Sequence, residues 1–229
     1  MTENAAERIG IVMQVRMGST RLPGKVLMPL GQTTLLGWIV QRIRDLPWTL
    51  VVATSDQSQD DPIADNCECM NVSCFRGSEL DVLDRYYQCA VENGFSQIVR
   101  LTGDNPFPDK EVMRELISLH LAESADYSYC LGELPVGTGS EVISVEALET
   151  SWREGRATHH REHVNEYILE QPYRFQISKL EVNSAKYAPT LRLTIDTKED
   201  YERIYRCVQN DTNVNIGTEA LIERCSSSV

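Results

Sequence analysis

The chain has 229 residues, 41% hydrophobic and 24% charged, the balance of a folded globular protein rather than a disordered or fibrous one. Its 22 Lys and Arg stand against 34 Asp and Glu, and a surface with a net charge of −12 repels DNA or RNA. A small anion is not excluded, because a local cluster of cations and backbone N–H groups overrides a screened distant field at short range.

Ile9 to Val15 is a short, nearly continuous apolar run, the pattern of a strand buried on both faces of a parallel sheet. Arg16 to Thr34 turns to Gly, Ser, Pro and basic residues and predicts a long loop, a length that compact domains usually keep for function. Leu35, Leu36, Ile39, Val40 and Ile43 recur at helical spacing, and Leu50 to Ala53 returns to strand character. The alternation continues with a helix in DDPIADNCE, a strand in VSCF, and a helix in SELDVLDRYYQCAVENG capped by Ser78 and ended by Gly94. Then come a strand QIVRL, a helix KEVMRELISLHLAES, strands DYSYC and EVISV, and a helix from Val145 to Arg153. A helix from Glu162 to Glu170, strands near RFQISKLEV and in LRLTI, and a helix KEDYERIYRCV complete the reading. Strands alternating with helices predict an α/β sandwich on a mostly parallel sheet, and with no linker or repeat the expectation is a single domain over 1–229.

The first candidate site is the loop QVRMGSTRLPGKVL, placed after the first strand, where open α/β sheets bind ligands. Gly18 and Gly24 allow close backbone approach, and Arg16, Arg21 and Lys25 bring three positive charges into an acidic chain, which suits a triphosphate. It is not a Walker A loop: five residues separate the glycines, and Val26 stands where Ser or Thr would hold magnesium. The dinucleotide fingerprint G-x-G-x-x-G is also absent. Asp104 in RLTGDNP and Asp196 in RLTIDTKED each follow a predicted strand, where an aspartate is either a metal ligand or an ordinary turn or capping residue. Thr54, in VVATSD at the end of the second strand, faces either a base or ribose, or makes a plain turn.

RMGSTRLPGK resembles the signature loop of the sugar cytidylyltransferases, which include CMP-Kdo synthetases and acylneuraminate cytidylyltransferases, and most closely the spore-coat polysaccharide branch. The resemblance runs on through VVATSD, DDPIAD, FRGSELDVLDRYYQCA, IVRLTGDNPFPD, REHVNEYI and RLTIDTKED, about Ile9 to Tyr205. It implies a nucleotide-diphospho-sugar transferase fold of GT-A, Rossmann-like type: a three-layer α/β/α sandwich with a mostly parallel mixed sheet, usually in a homodimer. It implies CTP and an anionic sugar as substrates, Mg²⁺ on Asp104 and Asp196, and Arg16 and Lys25 on the triphosphate, helped by Gly18, Ser19 and Arg21. Gly103 would let the backbone lie close to the nucleotide.

The sugar side is carried by PVGTGSEVIS, where Glu141 matches a family glutamate while Thr138 and Gly139 replace its leucine and aspartate. Arg76 in FRGS, and Arg161 and His163 in THHREHV, fall at positions that resemble sugar-facing ones, although a solvated helix start explains the last two equally well. His160 and His163, three apart on one predicted helix, do not make a zinc site without a further carboxylate or thiolate. Three other readings stay open: a same-fold nucleotidyltransferase using another NTP or a polyol phosphate, a non-catalytic nucleotide-binding protein, and a glycosyltransferase. The last is disfavoured because TGDNP offers Asp104 alone and no D-x-D.

Seven scattered cysteines without a C-x-x-C pair predict neither a disulfide framework nor structural zinc, and none stands in an evident cationic niche, so no thiol chemistry is expected. The polar, acidic MTENAAER is unlike a signal peptide, and no apolar run reaches the roughly 18 residues of a membrane span. The expectation is a cytoplasmic protein with no membrane partner.

Overall fold

The computed structural model describes residues 8–209 and 213–226, so most of the acidic N-terminal stretch lies outside the described residues. The chain runs through β1 (Ile9–Gln14), a long loop holding one 3₁₀ turn (Lys25–Leu27) and a small ribbon of β2 (Pro29–Leu30) and β3 (Thr33–Thr34), then α1 (Leu35–Ile43) and β4 (Thr49–Ser55). It continues with α2 (Asp61–Met70), β5 (Ser73–Gly77), α3 (Val82–Glu92), β6 (Gln97–Thr102), α4 (Lys110–Ala122), β7 (Tyr127–Tyr129) and β8 (Glu141–Ser144). The last elements are α5 (Val145–Glu154), α6 (Thr158–Glu162), α7 (Glu166–Glu170), β9 (Ile177–Lys179), α8 (Lys198–Val208) and α9 (Thr218–Ser226).

A seven-stranded sheet has the order β5-β4-β1-β6-β8-β7-β9. The β5-β4-β1-β6 half is parallel, and β8 runs antiparallel between β6 and β7. Side chains alternate across the central strands: Ile11 and Met13 of β1 join one core with Val52, Val99 and residues of α1, α2, α4, α8 and α9. Val12 of β1 joins the opposite core with Val51, Ala53, Ile98 and residues of α3, α5 and α7. The expected three-layer α/β/α sandwich is therefore present. Strand order reverses at β1, with β4 on one side and β6 on the other, which opens a crevice at their carboxyl ends.

Three readings of the sequence need correction. LRLTI is not a sheet strand: it is extended, but Leu191 O accepts from Val136 N at 2.8 Å, Leu193 N donates to Val136 O, and Ile195 N donates to Asp104 O at 2.9 Å. Its alternation reports the burial of Leu193 and Ile195, while its backbone pairs with two loops, leaving a single bridge from Val136 to Arg192. The helix expected over Glu162 to Glu170 is broken, because His163 is extended and turns Val164 into the core between α6 and α7. The cap of α3 is Asp81, whose side chain accepts from Asp84 N, while Ser78 Oγ accepts from Asp81 N.

The loop after β1 is held from below by Asp60, which is fully buried. Its Oδ1 accepts from Met17 N at 2.7 Å, and its Oδ2 accepts from Ser55 N at 3.2 Å and Ser55 Oγ at 2.5 Å. Asp60→Ala strands those donors, so a loss of about 1–3 kcal/mol in unfolding free energy is expected in urea titrations, and an unchanged midpoint would contradict the anchor.

His120 of α4 ties that helix to the sheet, with Nδ1 at 2.8 Å from Ser128 Oγ and Nε2 at 2.9 Å from Gln97 Oε1. Burial lowers its pKa from 6.5 to about 4, so the unfolded chain takes up a proton there at higher pH than the folded one. The neutral imidazole's stability contribution is complete above pH 6.5 and is lost as pH falls to about 4, with a slope approaching 1.4 kcal/mol per pH unit. Unfolding free energies of the parent and His120→Gln across that window should converge on acidification; parallel curves would contradict this.

Candidate active site

Gly24 takes the left-handed conformation, φ 70°, that starts the 3₁₀ turn and sends Lys25 inward. Lys25 is 8% exposed. Its ammonium donates to Ile195 O at 2.7 Å, to Asp104 Oδ2 at 3.1 Å and to Asp196 Oδ1 at 3.3 Å. Residues 79 and 171 positions away thus meet on one nitrogen, and the two carboxylate oxygens can be no farther apart than the sum of their distances to it. Asp104 arrives on the turn after β6, and Asp196 at the end of the extended 191–195 segment.

Asp196 is not spent on capping α8. Thr197 Oγ1 accepts from Asp200 N at 3.2 Å, and Asp200 Oδ2 accepts from Asp196 N and Thr197 N, a reciprocal capping box. The Asp196 carboxylate instead faces Arg21 and Arg192, each at 3.1 Å, besides Lys25. Carboxylate oxygens of this kind are what a hard divalent cation takes as ligands, and magnesium needs only one or two beside substrate phosphates.

Around this cluster opens a cleft of about 390 Å³ whose charged lining is Arg16, Arg21, Lys25, Arg85, Arg100, Asp104, Glu162 and Asp196, with His163 beside them. Cations outnumber carboxylates there, the reverse of the whole chain. Arg16 forms no ion pair among the described residues. Arg85 is 2% exposed; its Nη1 donates to Ser78 O at 2.6 Å, its Nε has no partner, and burial lowers its pKa. Burial also disfavours the Arg100 cation, but the Glu141 carboxylate bonded to it, together with Tyr86 and Tyr127, holds its pKa above the ordinary arginine value. Arg100 Nε and Gln14 Oε1 are likewise buried without partners, so three wall residues keep unspent hydrogen-bonding capacity.

The other sequence-selected residues divide by position. Ser19 and Gly103 line the cleft with Arg16, Arg21, Lys25, Asp104, Asp196 and His163. A Cβ on Gly103 would sit 2.9 Å from Val15 Cγ2, so close packing of β6 against the β1 turn itself demands glycine there. Gly18 is exposed and outside the lining. Thr54 is wholly buried in the β4–β5 ladder opposite Arg76 and is not among the cleft-lining residues. Arg76 spends its guanidinium on Ser55 O at 3.0 Å, Gln57 O at 2.8 Å and Asp61 Oδ1 at 2.6 Å, bracing the β4–α2 connection away from the cleft. Arg161 clamps Asp81 and the Trp152 carbonyl, fixing α6 to the start of α3. Glu141 is buried under the cleft, where it bonds Arg100, Tyr127 and Asn165.

Arg85 and Arg100 were missed by the sequence reading. Each had a local signal: Arg100 is a charge inside an apolar strand, and Arg85 sits on the helix face shared by Val82, Tyr86 and Cys89.

The chain matches the family model for cytidylyltransferases over residues 9–219. It is 42% identical over 200 residues to the spore coat polysaccharide biosynthesis protein SpsF of Bacillus subtilis, covering 84% of this chain and 83% of that one. A cytidylyltransferase structure from Leptospira borgpetersenii superposes with a TM-score of 0.91 at 31% identity, covering 96% of this chain and 94% of the other. A structure of CMP:2-keto-3-deoxy-manno-octonic acid synthetase complexed with CTP shares the fold, with a TM-score of 0.65 at 14% identity over 87% of this chain and 98% of that one. The chain described here belongs to the cytidylyltransferase family and is a nucleotidyltransferase.

Proposed function

We propose that this enzyme transfers a cytidylyl group from CTP to an acidic or phosphorylated sugar, giving a CMP- or CDP-sugar and pyrophosphate for polysaccharide synthesis. The observation that carries the reading is the meeting of Asp104, Asp196 and Lys25 on the floor of a cationic cleft at the β1–β6 crevice. The CTP-bound relative of the same fold and the polysaccharide role named for SpsF support the nucleotide and the pathway class.

In this reading an oxygen of the sugar, a hydroxyl where the product is a CMP-sugar and a phosphate oxygen where it is a CDP-sugar, attacks the α-phosphorus. The bond to the departing pyrophosphate breaks, and an attacking hydroxyl releases its proton to solvent. Arg16, Ser19, Arg21 and Lys25 bind the triphosphate, and their cations meet the charge that grows on the leaving group. Asp104 and Asp196 would hold Mg²⁺, which would supply charge stabilisation at the reacting phosphate. His163 and Glu162, on the cleft lining beyond the phosphates, face the sugar. Glu141 acts beneath the pocket by fixing the charge and orientation of Arg100. The enzyme is one nucleotidyltransferase domain, working as a cytoplasmic homodimer. Among the described residues no helix is long and apolar enough to cross a membrane.

Pyrophosphate release measured with CTP, UTP, GTP and ATP against a panel of acidic sugars and sugar phosphates should be greatest with CTP. Equal release with any nucleotide, or with CTP and no sugar, overturns the assignment. Lys25→Ala should raise the Kd for CTP by about 10- to 100-fold, the loss of one charge-assisted contact, and an unchanged Kd would remove Lys25 from the phosphate site.

A further inference from the structure

Cys207, in the last turn of α8, and Cys225, near the end of α9, have their sulfurs 3.0 Å apart although 18 positions separate them in the chain. Cys225 is 3% exposed, and Cys207 is only half-buried and so open to a reagent. Arg203, Arg206 and Arg224 all act on the Cys207 sulfur, so the sequence expectation that no cysteine stands in a cationic niche is wrong for this one. Helical winding brings Arg203 and Arg206 to the Cys207 turn of α8, and docking of α9 adds Arg224, so the niche is complete only once the two helices pack.

We propose that Cys207 and Cys225 are a reversible disulfide-forming site, at which a small-molecule disulfide of the glutathione class covalently joins α8 to α9. The Cys207 thiolate attacks one sulfur of the oxidant, whose S–S bond breaks and releases one thiolate. Cys225 then loses its proton and attacks Cys207 Sγ in the mixed disulfide, expelling the second thiolate. Two protein thiols are oxidised and one disulfide is reduced to two thiols, so atoms and electrons balance.

The acidities suit this order of events. The hydrogen bond from Cys225 lowers the Cys207 pKa to about 7 against an opposing burial effect, with help from the three arginines. The same hydrogen bond, together with burial, pushes Cys225 well above the ordinary thiol range. Cys207 is thus the attacking thiolate near neutral pH, and Cys225 the proton-bearing partner that resolves the mixed disulfide. A reducing compartment keeps both as thiols, and an oxidising shift closes the pair.

The link would tie α9, anchored by Thr218 Oγ1 donating to Asp109 Oδ2 at 2.6 Å, to the helix whose capping box holds Asp196 N. Cys67 and Cys74 also act on one another, and among the described residues Arg76 is the one guanidinium that lowers the Cys74 pKa.

The full-length reduced chain is incubated with oxidised glutathione, quenched with N-ethylmaleimide, digested and analysed by mass spectrometry. The expected product is a Cys207–Cys225 cross-linked peptide, lighter by two hydrogens and reversed by dithiothreitol, with a rise in Tm on the order of 5–10 °C in the intact protein. Its rate should climb through pH about 7. Cys225→Ser, checked for folding by circular dichroism, should stop at a glutathione adduct on Cys207. A lasting adduct on Cys207 in the unmutated chain, cross-linking confined to Cys67 and Cys74, or no reaction at all would each overturn the site.

Discussion

A buried ammonium is costly unless its charge is answered, and the answer given to Lys25 organises the cleft edge of this fold. Its three acceptors come from two distant parts of the chain: Asp104 after β6, and the adjoining Ile195 carbonyl and Asp196 carboxylate that lead into α8. Until a phosphate oxygen takes the place of one of them, none of these could shift without stranding a charge in a site of reduced dielectric. The long loop after β1 must therefore fold back over the crevice, and Gly24 and Asp60 are the means: a left-handed turn that aims Lys25 inward, and a buried carboxylate that holds the loop's root to β4.

The same electrostatic logic reconciles an acidic protein with an anionic substrate. Negative charge spread over the surface is screened within about 8–10 Å at ordinary salt, whereas buried guanidinium groups act at contact distance in a poorly screened cleft. Arg85 and Arg100 illustrate two ways to keep such a group. Arg100 leans on the buried Glu141, while Arg85 rests on the Ser78 carbonyl and bears the burial cost with its Nε unanswered. Unspent donors on a cleft wall are a form of preorganisation, since their desolvation is already complete before a ligand arrives.

The sandwich was legible in the sequence because burial on both sheet faces writes continuous apolar runs such as Ile9 to Val15, and packed helices write a 3.6-residue period. The cationic loop over the cleft was legible because glycines and cations cluster after the first strand. Other features were not, for definite reasons. The 191–195 run has the alternation of a strand, but alternation reports which side chains are buried and not what the backbone pairs with. Arg76, Arg161 and Glu141 looked like ligand residues because a charged side chain reads the same whether it meets a substrate or a neighbouring carbonyl. Tertiary context assigned Arg76 and Arg161 to bracing the scaffold, and Glu141 to supporting Arg100. The Cys207–Cys225 contact depends on how α9 docks, which no local pattern encodes.

What joins sequence, fold and chemistry is the pairing of Asp104 with Asp196, carboxylates brought together by the sheet edge and by Lys25. Turnover measured against Mg²⁺ concentration for Asp104→Asn, Asp196→Asn and the double variant tests that pairing most directly. If both hold one ion, each single change cuts turnover by orders of magnitude without unfolding the chain, and the double is scarcely worse than either, because a misplaced ion leaves the second carboxylate little to hold. Losses that simply multiply in the double variant, or near-normal turnover in either single one, would contradict a shared metal.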